Sequence, residues 1–110
     1  MRIVELKRGS DGLRHRGSIP AFQVGETAYI YLDFSSDMIK GASISSITTA
    51  EIEDSATNIT LDSSAEKIDG QKIRLQATAA SAGDCTIRVK AAYYDGSAVE
   101  ADCPIKVVAA

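Results

Sequence analysis

The stretch from Gly83 to Val108, GDCTIRVKAAYYDGSAVEADCPIKVV, constrains this chain more than any other. Polar and apolar residues alternate on both sides of Asp95-Gly96, a dipeptide suited to a tight hairpin turn. Cys85, Ile87, Val89, Ala91 and Tyr93 share one face of the first half, and Val99, Ala101, Cys103, Ile105 and Val107 share one face of the second. Thr86, Arg88 and Lys90, then Glu100, Asp102 and Lys106, take the opposite faces. Successive side chains of a strand point to opposite sides. A period of two held over this length therefore predicts an antiparallel pair with one buried face.

The same pattern recurs upstream. In TAYIYLDF (27–34) Ala28, Ile30, Leu32 and Phe34 form the apolar face, and in KIRLQATA (72–79) Ile73, Leu75, Ala77 and Ala79 do. The β-branched run ASISSITTAEIE (42–53) favours strand, and its slipped alternation between Ile44 and Ile47 predicts a bulge near Ser45-Ser46. NITLD (58–62) reads as a short strand with Ile59 and Leu61 inward, and MRIVEL (1–6) as a short strand without a clear face. Ser35 to Gly41 reads as one helical turn closed by glycine, and Gly25-Glu26, Asp69-Gly70 and Ala82-Gly83 read as turns. About seven short strands separated by turn signals predict an all-β domain, an Ig-like antiparallel β-sandwich. Its body is residues 21–110, preceded by an extended basic arm over residues 1–20.

The arm follows from charge and glycine. Lys7 to Ser18, KRGSDGLRHRGS, reads as loop rather than core. Residues 1–20 carry net charge +3 and the remaining ninety −6, which suits an arm docking on an acidic neighbour such as a second copy. No aromatics interleave with the arm's charges, which argues against a nucleic-acid partner. No run reaches the length of a membrane span, and charge returns at Glu5, Lys7 and Arg8 where a signal peptide would stay apolar. Synthesis in a cytoplasm and no membrane partner are the expectations.

No catalytic set assembles from the residues. A nucleophilic triad needs a base, and the one histidine, His15, falls in the arm, where it reads as a solvated surface side chain. The carboxylates cluster at loops and strand ends without calcium-loop spacing, and the glycines are single, so no metal and no cofactor are expected. Cys85 and Cys103 both fall on inward parity. A turn pivoting on Asp95-Gly96 places them about three positions out of register, which opposes a bridge. Pro104 lacks an N–H, so the last strand reads as a sheet edge or bulge there, open to a neighbour's strand. A protein that is not an enzyme is the expectation. The residues marked as interface candidates are the arm cations Arg2, Lys7, Arg8, Arg14 and Arg16, then Phe22 before the body, the outward Tyr29 and Tyr31, and the hairpin tip Tyr94, Asp95 and Gly96.

Three pieces carry a resemblance: YLDFSSDMIKGASISS (31–46), KIRLQATAASAGDCTIRVKAAYYDG (72–96) and EADCPIKV (100–107). With Asp33-Phe34-Ser35, Gly41, Ile44, Ala82-Gly83, Thr86-Ile87 and Gly96 in place, the chain resembles the small Ig-like fibre–tail adaptors of tailed bacteriophages. Phe34 and Ile47 stand where that family often has tryptophan, and the basic arm is longer than the family's. The resemblance implies a non-enzymatic virion protein joining tail, neck, portal or fibre components, with copies of itself as further partners in the particle. A capsid decoration protein is the alternative within that class. A carbohydrate- or receptor-binding module is the alternative outside it.

Overall fold

The computed structural model describes residues 2–8, 14–39 and 41–109. They form an all-β domain of two mixed sheets around one hydrophobic core. The strand segments in chain order are β1 (Arg2–Glu5), β2 (Lys7–Arg8), β3 (Arg14–Arg16), β4 (Phe22–Gln23), β5 (Thr27–Asp33), β6 (Ile44–Ile52), β7 (Ile59–Leu61), β8 (Lys67–Asp69), β9 (Lys72–Ala79), β10 (Gly83–Tyr93) and β11 (Ala98–Val108). One sheet runs β1-β5-β9-β7, with β8 also on β9; the other runs β2-β3-β11-β10-β6, with β4 also on β11. Eleven segments among the described residues replace the seven expected strands. The sheets are mixed because β1 joins β5 in parallel, as β3 and β4 join β11.

Alternation places the core as the residues dictate. Ile30, Leu32 and Phe34 from β5 and its end, Ile73, Leu75, Ala77 and Ala79 from β9, and, but for the half-buried Cys85, the inward residues of β10 and β11 are buried. The bulge expected at Ser45-Ser46 falls at Ser45, where pairing with β10 jumps from Ser46 to Ile44, and a second lies at Thr48. Ser35–Asp37 is a single 3-10 turn whose first backbone N–H, that of Ser35, donates to Asp33 Oδ1 at 2.9 Å.

The β10–β11 hairpin forms with a different turn. Ala92 pairs with Ala98, the Tyr93 N–H donates to the Ser97 carbonyl at 2.9 Å, and the Gly96 N–H donates to the Tyr93 carbonyl at 2.9 Å. The loop is thus three residues, Tyr94-Asp95-Gly96, with Gly96 at φ +88° supplying the left-handed residue that such a loop demands. This moves the register by one. Ile87 opposes Cys103 and Cys85 opposes Ile105, so the two cysteines are diagonal neighbours. Diagonal Cα atoms lie about 7–8 Å apart, beyond disulfide reach. Both thiols are free, Cys103 buried and Cys85 half-buried.

The larger departure is the N-terminal segment. Its described parts are built into both sheets. Val4, Leu6, His15 and Ile19 are buried, and the solvated-histidine reading is corrected: the His15 side chain is fully enclosed. A Cβ at Gly17 would lie 2.7 Å from Val4 Cγ1 and 3.0 Å from the Glu5 carbonyl, so glycine is needed where the chain passes beneath β1. Two described basic positions of the segment pair in backbone register with acidic positions of their own chain. Arg14 lies opposite Glu100 and Arg16 opposite Asp102 on β11. The open edge expected at Pro104 is closed by the same segment: β3 and β4 flank it, and the Ile19 N–H donates to the Pro104 carbonyl at 3.1 Å.

Candidate functional site

The two sheet faces and the loop ends differ in chemistry. The outer face of the β11-β10-β6 sheet is ionic. Arg88 Nε lies 3.0 Å from Asp102 Oδ1, Arg88 Nη2 lies 3.3 Å from Glu53 Oε1, and Lys90 Nζ lies 3.7 Å from Glu100 Oε1. Opposite charges across neighbouring strands stabilise a solvated face and leave it little to offer an apolar partner. The outer face of the other sheet holds Ile3 beside the half-buried Tyr31, then Tyr29 with the Arg74 guanidinium 4.6 Å above its ring. Arg74 is itself held by the Ala65 carbonyl, so its guanidinium is engaged within this face.

The end of the molecule where β5 leaves and β10 turns presents more. Among the described residues the large hydrophobic side chains that stay exposed are Ile39 at 67%, Tyr94 at 54%, Ile3 at 53% and Tyr29 at 39%. Ile39 and Tyr94 belong to this end. The loop after β5 and the hairpin tip are tied together there. The Tyr94 N–H donates to the Ser43 carbonyl at 3.1 Å, the Tyr93 O–H donates to Asp37 Oδ2 at 2.8 Å, and Gln71 Nε2–H donates to the Ile39 carbonyl at 2.9 Å. Beneath them the His15 ring meets Phe34 edge-on at 5.6 Å, and Phe34 meets Tyr93 edge-on at 6.3 Å. The tip is braced as well. Asp95 Oδ1 accepts from the Ser97 hydroxyl at 2.6 Å and the Ser97 N–H at 2.9 Å, and these bonds hold its carboxyl below the usual range.

The sequence-marked candidates are thus dispersed. Tyr94, Asp95 and Gly96 sit together on the tip; Tyr29 and Tyr31 lie on the outer face of the β1-β5-β9-β7 sheet. Phe22 is no anchor for a partner, because it is fully buried on β4 opposite Val107. Lys7 and Arg16 are exposed on paired strands, while Arg2, Arg8 and Arg14 contribute backbone pairs to β5, β3 and β11. Ile39, Asp37 and the buried role of His15 were not read from the sequence. Ile39 sits in an irregular loop, where no periodicity marks a direction, and the groups around His15 come from three distant parts of the chain.

Together these features define a class first: a small all-β domain whose apolar, hydrogen-bond-braced loop end is its most exposed hydrophobic feature. Residues 21–102 match the family described as "Heme-binding protein Shr-like, Hb-interacting domain", and the chain belongs to that family. The resemblance to phage fibre–tail adaptors is overturned by this match. The adaptor and capsid-decoration functions fall with it, as do the tail, neck, portal and fibre partners, the assembly of copies within a particle, and the virion localisation. The residues that carried the resemblance serve turns of any such sheet pair: Asp33 caps the 3-10 turn, and Gly96 closes the three-residue hairpin loop. No curated protein matches the chain. A solved structure, that of PbICP-C in complex with falcipain-2, is similar at 12% identity and a TM-score of 0.49, over 98% of this chain and 100% of that one.

The family description raises haem, and the described histidine, methionine and cysteines do not fit it. A haem needs an axial His, Met, Cys or Tyr lining an apolar slot. His15 is enclosed, with Nε2 3.2 Å from Asp37 Oδ2, and Met38 packs against the core. Burial pushes the Cys103 thiol up to about 12. Cys85 lines an open groove of about 490 Å³ together with Asp84 and Lys106, and burial raises its thiol too, which works against a thiolate ligand. Tyr94 stands exposed on the hairpin tip and does not line that groove.

Proposed function

We propose that this chain is a non-catalytic protein-binding domain whose partner is haemoglobin, engaged through the loop end that carries Ile39 and Tyr94. The family description supports the partner class, since it names an Hb-interacting domain. The observation that carries the choice of surface is that Ile39 and Tyr94, two exposed large apolar side chains, are both set on loops cross-braced by backbone and side-chain hydrogen bonds. Tyrosine is favoured at the centre of interfaces because it buries much area at low conformational cost, and a braced loop loses less freedom on binding. The non-catalytic reading is supported by His15, which is enclosed and cannot reach a substrate from solvent. An Ig-like sandwich is part of the same proposal. The orders β5-β9-β7 and β6-β10-β11 correspond to strands B-E-D and C-F-G of that fold, in which loops at one end commonly bind.

The test is titration of haemoglobin onto the full chain by calorimetry or surface-immobilised binding. Tyr94→Ala and Ile39→Ser are each expected to weaken binding by about tenfold or more, while Tyr29→Ala stays within about twofold. Loss of binding in Tyr29→Ala with none in Tyr94→Ala would move the site to the outer face of the β1-β5-β9-β7 sheet. A wild-type chain that does not bind haemoglobin sinks the proposal.

A further inference from the structure

The loop end is braced by a part of the chain that precedes the family match. The match begins at residue 21, whereas β1 to β3 lie before it. The Leu6 N–H donates to the Asp33 carbonyl at 2.9 Å, and the Ser36 hydroxyl donates to the Leu6 carbonyl at 2.6 Å. His15 Nε2 lies 3.2 Å from Asp37 Oδ2, the same oxygen that accepts the Tyr93 O–H at 2.8 Å. One carboxylate therefore joins β3, the turn that leads to Ile39, and the strand end that leads to Tyr94. The rings of His15, Phe34 and Tyr93 stack edge-on behind it. A carboxylate that accepts the Tyr93 O–H in a largely enclosed site holds it more strongly than the same contact would in water, and the His15 ring lies within ion-pair distance of the same oxygen.

We propose that strands β1 to β3 are a positioning element for the recognition end, acting through Ser36 and Asp37 to hold Ile39 and Tyr94 as a single surface. The inference rests on the reading of that end as the binding surface. In this arrangement Asp37 is a positioning residue. It touches no partner, yet it sets the spacing of the two loops that do. Without it the loops would hold that spacing less firmly, and the cost of fixing it on binding falls on affinity.

Amide hydrogen exchange of the free full-length chain and dissociation kinetics from haemoglobin test this on Asp37→Ala, Asp37→Asn and Ser36→Ala. Asp37→Ala is expected to speed exchange over residues 38–43 and 94–97 on the order of tenfold and leave the centres of β9, β10 and β11 unchanged. Ser36→Ala, which removes one bond from an exposed side chain, is expected to speed exchange at 38–43 by roughly threefold. Asp37→Asn keeps an acceptor for the Tyr93 O–H and is expected to restore most protection at 94–97. Dissociation from haemoglobin quickens in the same order. Unchanged loop exchange in Asp37→Ala and Ser36→Ala overturns the proposal, as does loosening spread evenly over both sheets. If Asp37→Ala does not fold, Ser36→Ala decides alone. Loosened loops in a chain whose wild type does not bind haemoglobin uphold the positioning role and remove the partner.

Discussion

Leu6→Ala separates a dangling arm from a built-in segment. The Leu6 side chain is fully buried, its N–H donates to the Asp33 carbonyl, and its carbonyl accepts from Ser36. Alanine keeps both backbone bonds and removes only the buried side chain. A buried Leu→Ala change costs about 2–5 kcal/mol, combining lost transfer energy with the cavity left behind. A central value of about 3 kcal/mol, on a urea dependence of about 1.5 kcal/mol per molar, moves the midpoint down by roughly 2 M. In a thermal melt of a domain this size the same loss is about 10–15 °C. The control is Ile3→Ala on the same strand, whose side chain is 53% exposed, and which is expected to cost within about 0.5 kcal/mol. Urea melts followed by circular dichroism measure both. If Leu6→Ala falls within the error of Ile3→Ala, residues 2–8 are not part of the cooperative core, and the positioning role of β1 to β3 fails with them.

Two further outcomes follow from the hairpin. Gly96 has φ +88° with open space around its Cβ position, so Gly96→Ala is expected to cost about 1 kcal/mol through backbone strain alone, read from the same melts. The Cys103 thiol is raised by burial from its ordinary 9.0 to about 12, and a group whose folded value is raised gives stability that is lost as pH climbs. Urea midpoints are expected to fall between about pH 9 and 12, and to fall less steeply in Cys103→Ala; equal slopes would contradict the burial argument.

The hairpin and the central strands were legible because each carries its burial in local alternation. Ile73, Leu75, Ala77 and Ala79 lie inward as their parity requires, and so do Ile87, Val89 and their partners on β11. The bulge near Ser45 was legible for the same reason, since an extra residue in one strand is what makes a period of two slip. The turn was legible in place and not in kind. Asp95-Gly96 marks a reversal, but the same dipeptide serves a two-residue and a three-residue loop, and only the Tyr93–Ser97 pairing decides between them. Tyr94 was visible as a tip residue, whereas Ile39 was not, because an irregular loop has no period to betray which way a side chain faces.

The N-terminal segment shows the boundary most clearly. Its glycines and charges describe a loop when read alone, and nothing local distinguishes Leu6 or His15 as core. Their burial depends on Asp33, Phe34 and Asp37, about twenty to thirty positions further along the chain, and on Ala101, which pairs with His15 from β11 and lies nearly ninety positions on. By itself the amino-acid sequence determined an all-β domain, the inward faces of its long strands and the places where the chain turns. These rest on interactions between near neighbours and on a period of two. Tertiary structure alone decided that the basic segment closes both sheets, that His15 is enclosed, and that two loops meet under one carboxylate. Those outcomes depend on which distant surfaces come together, and no local pattern encodes that.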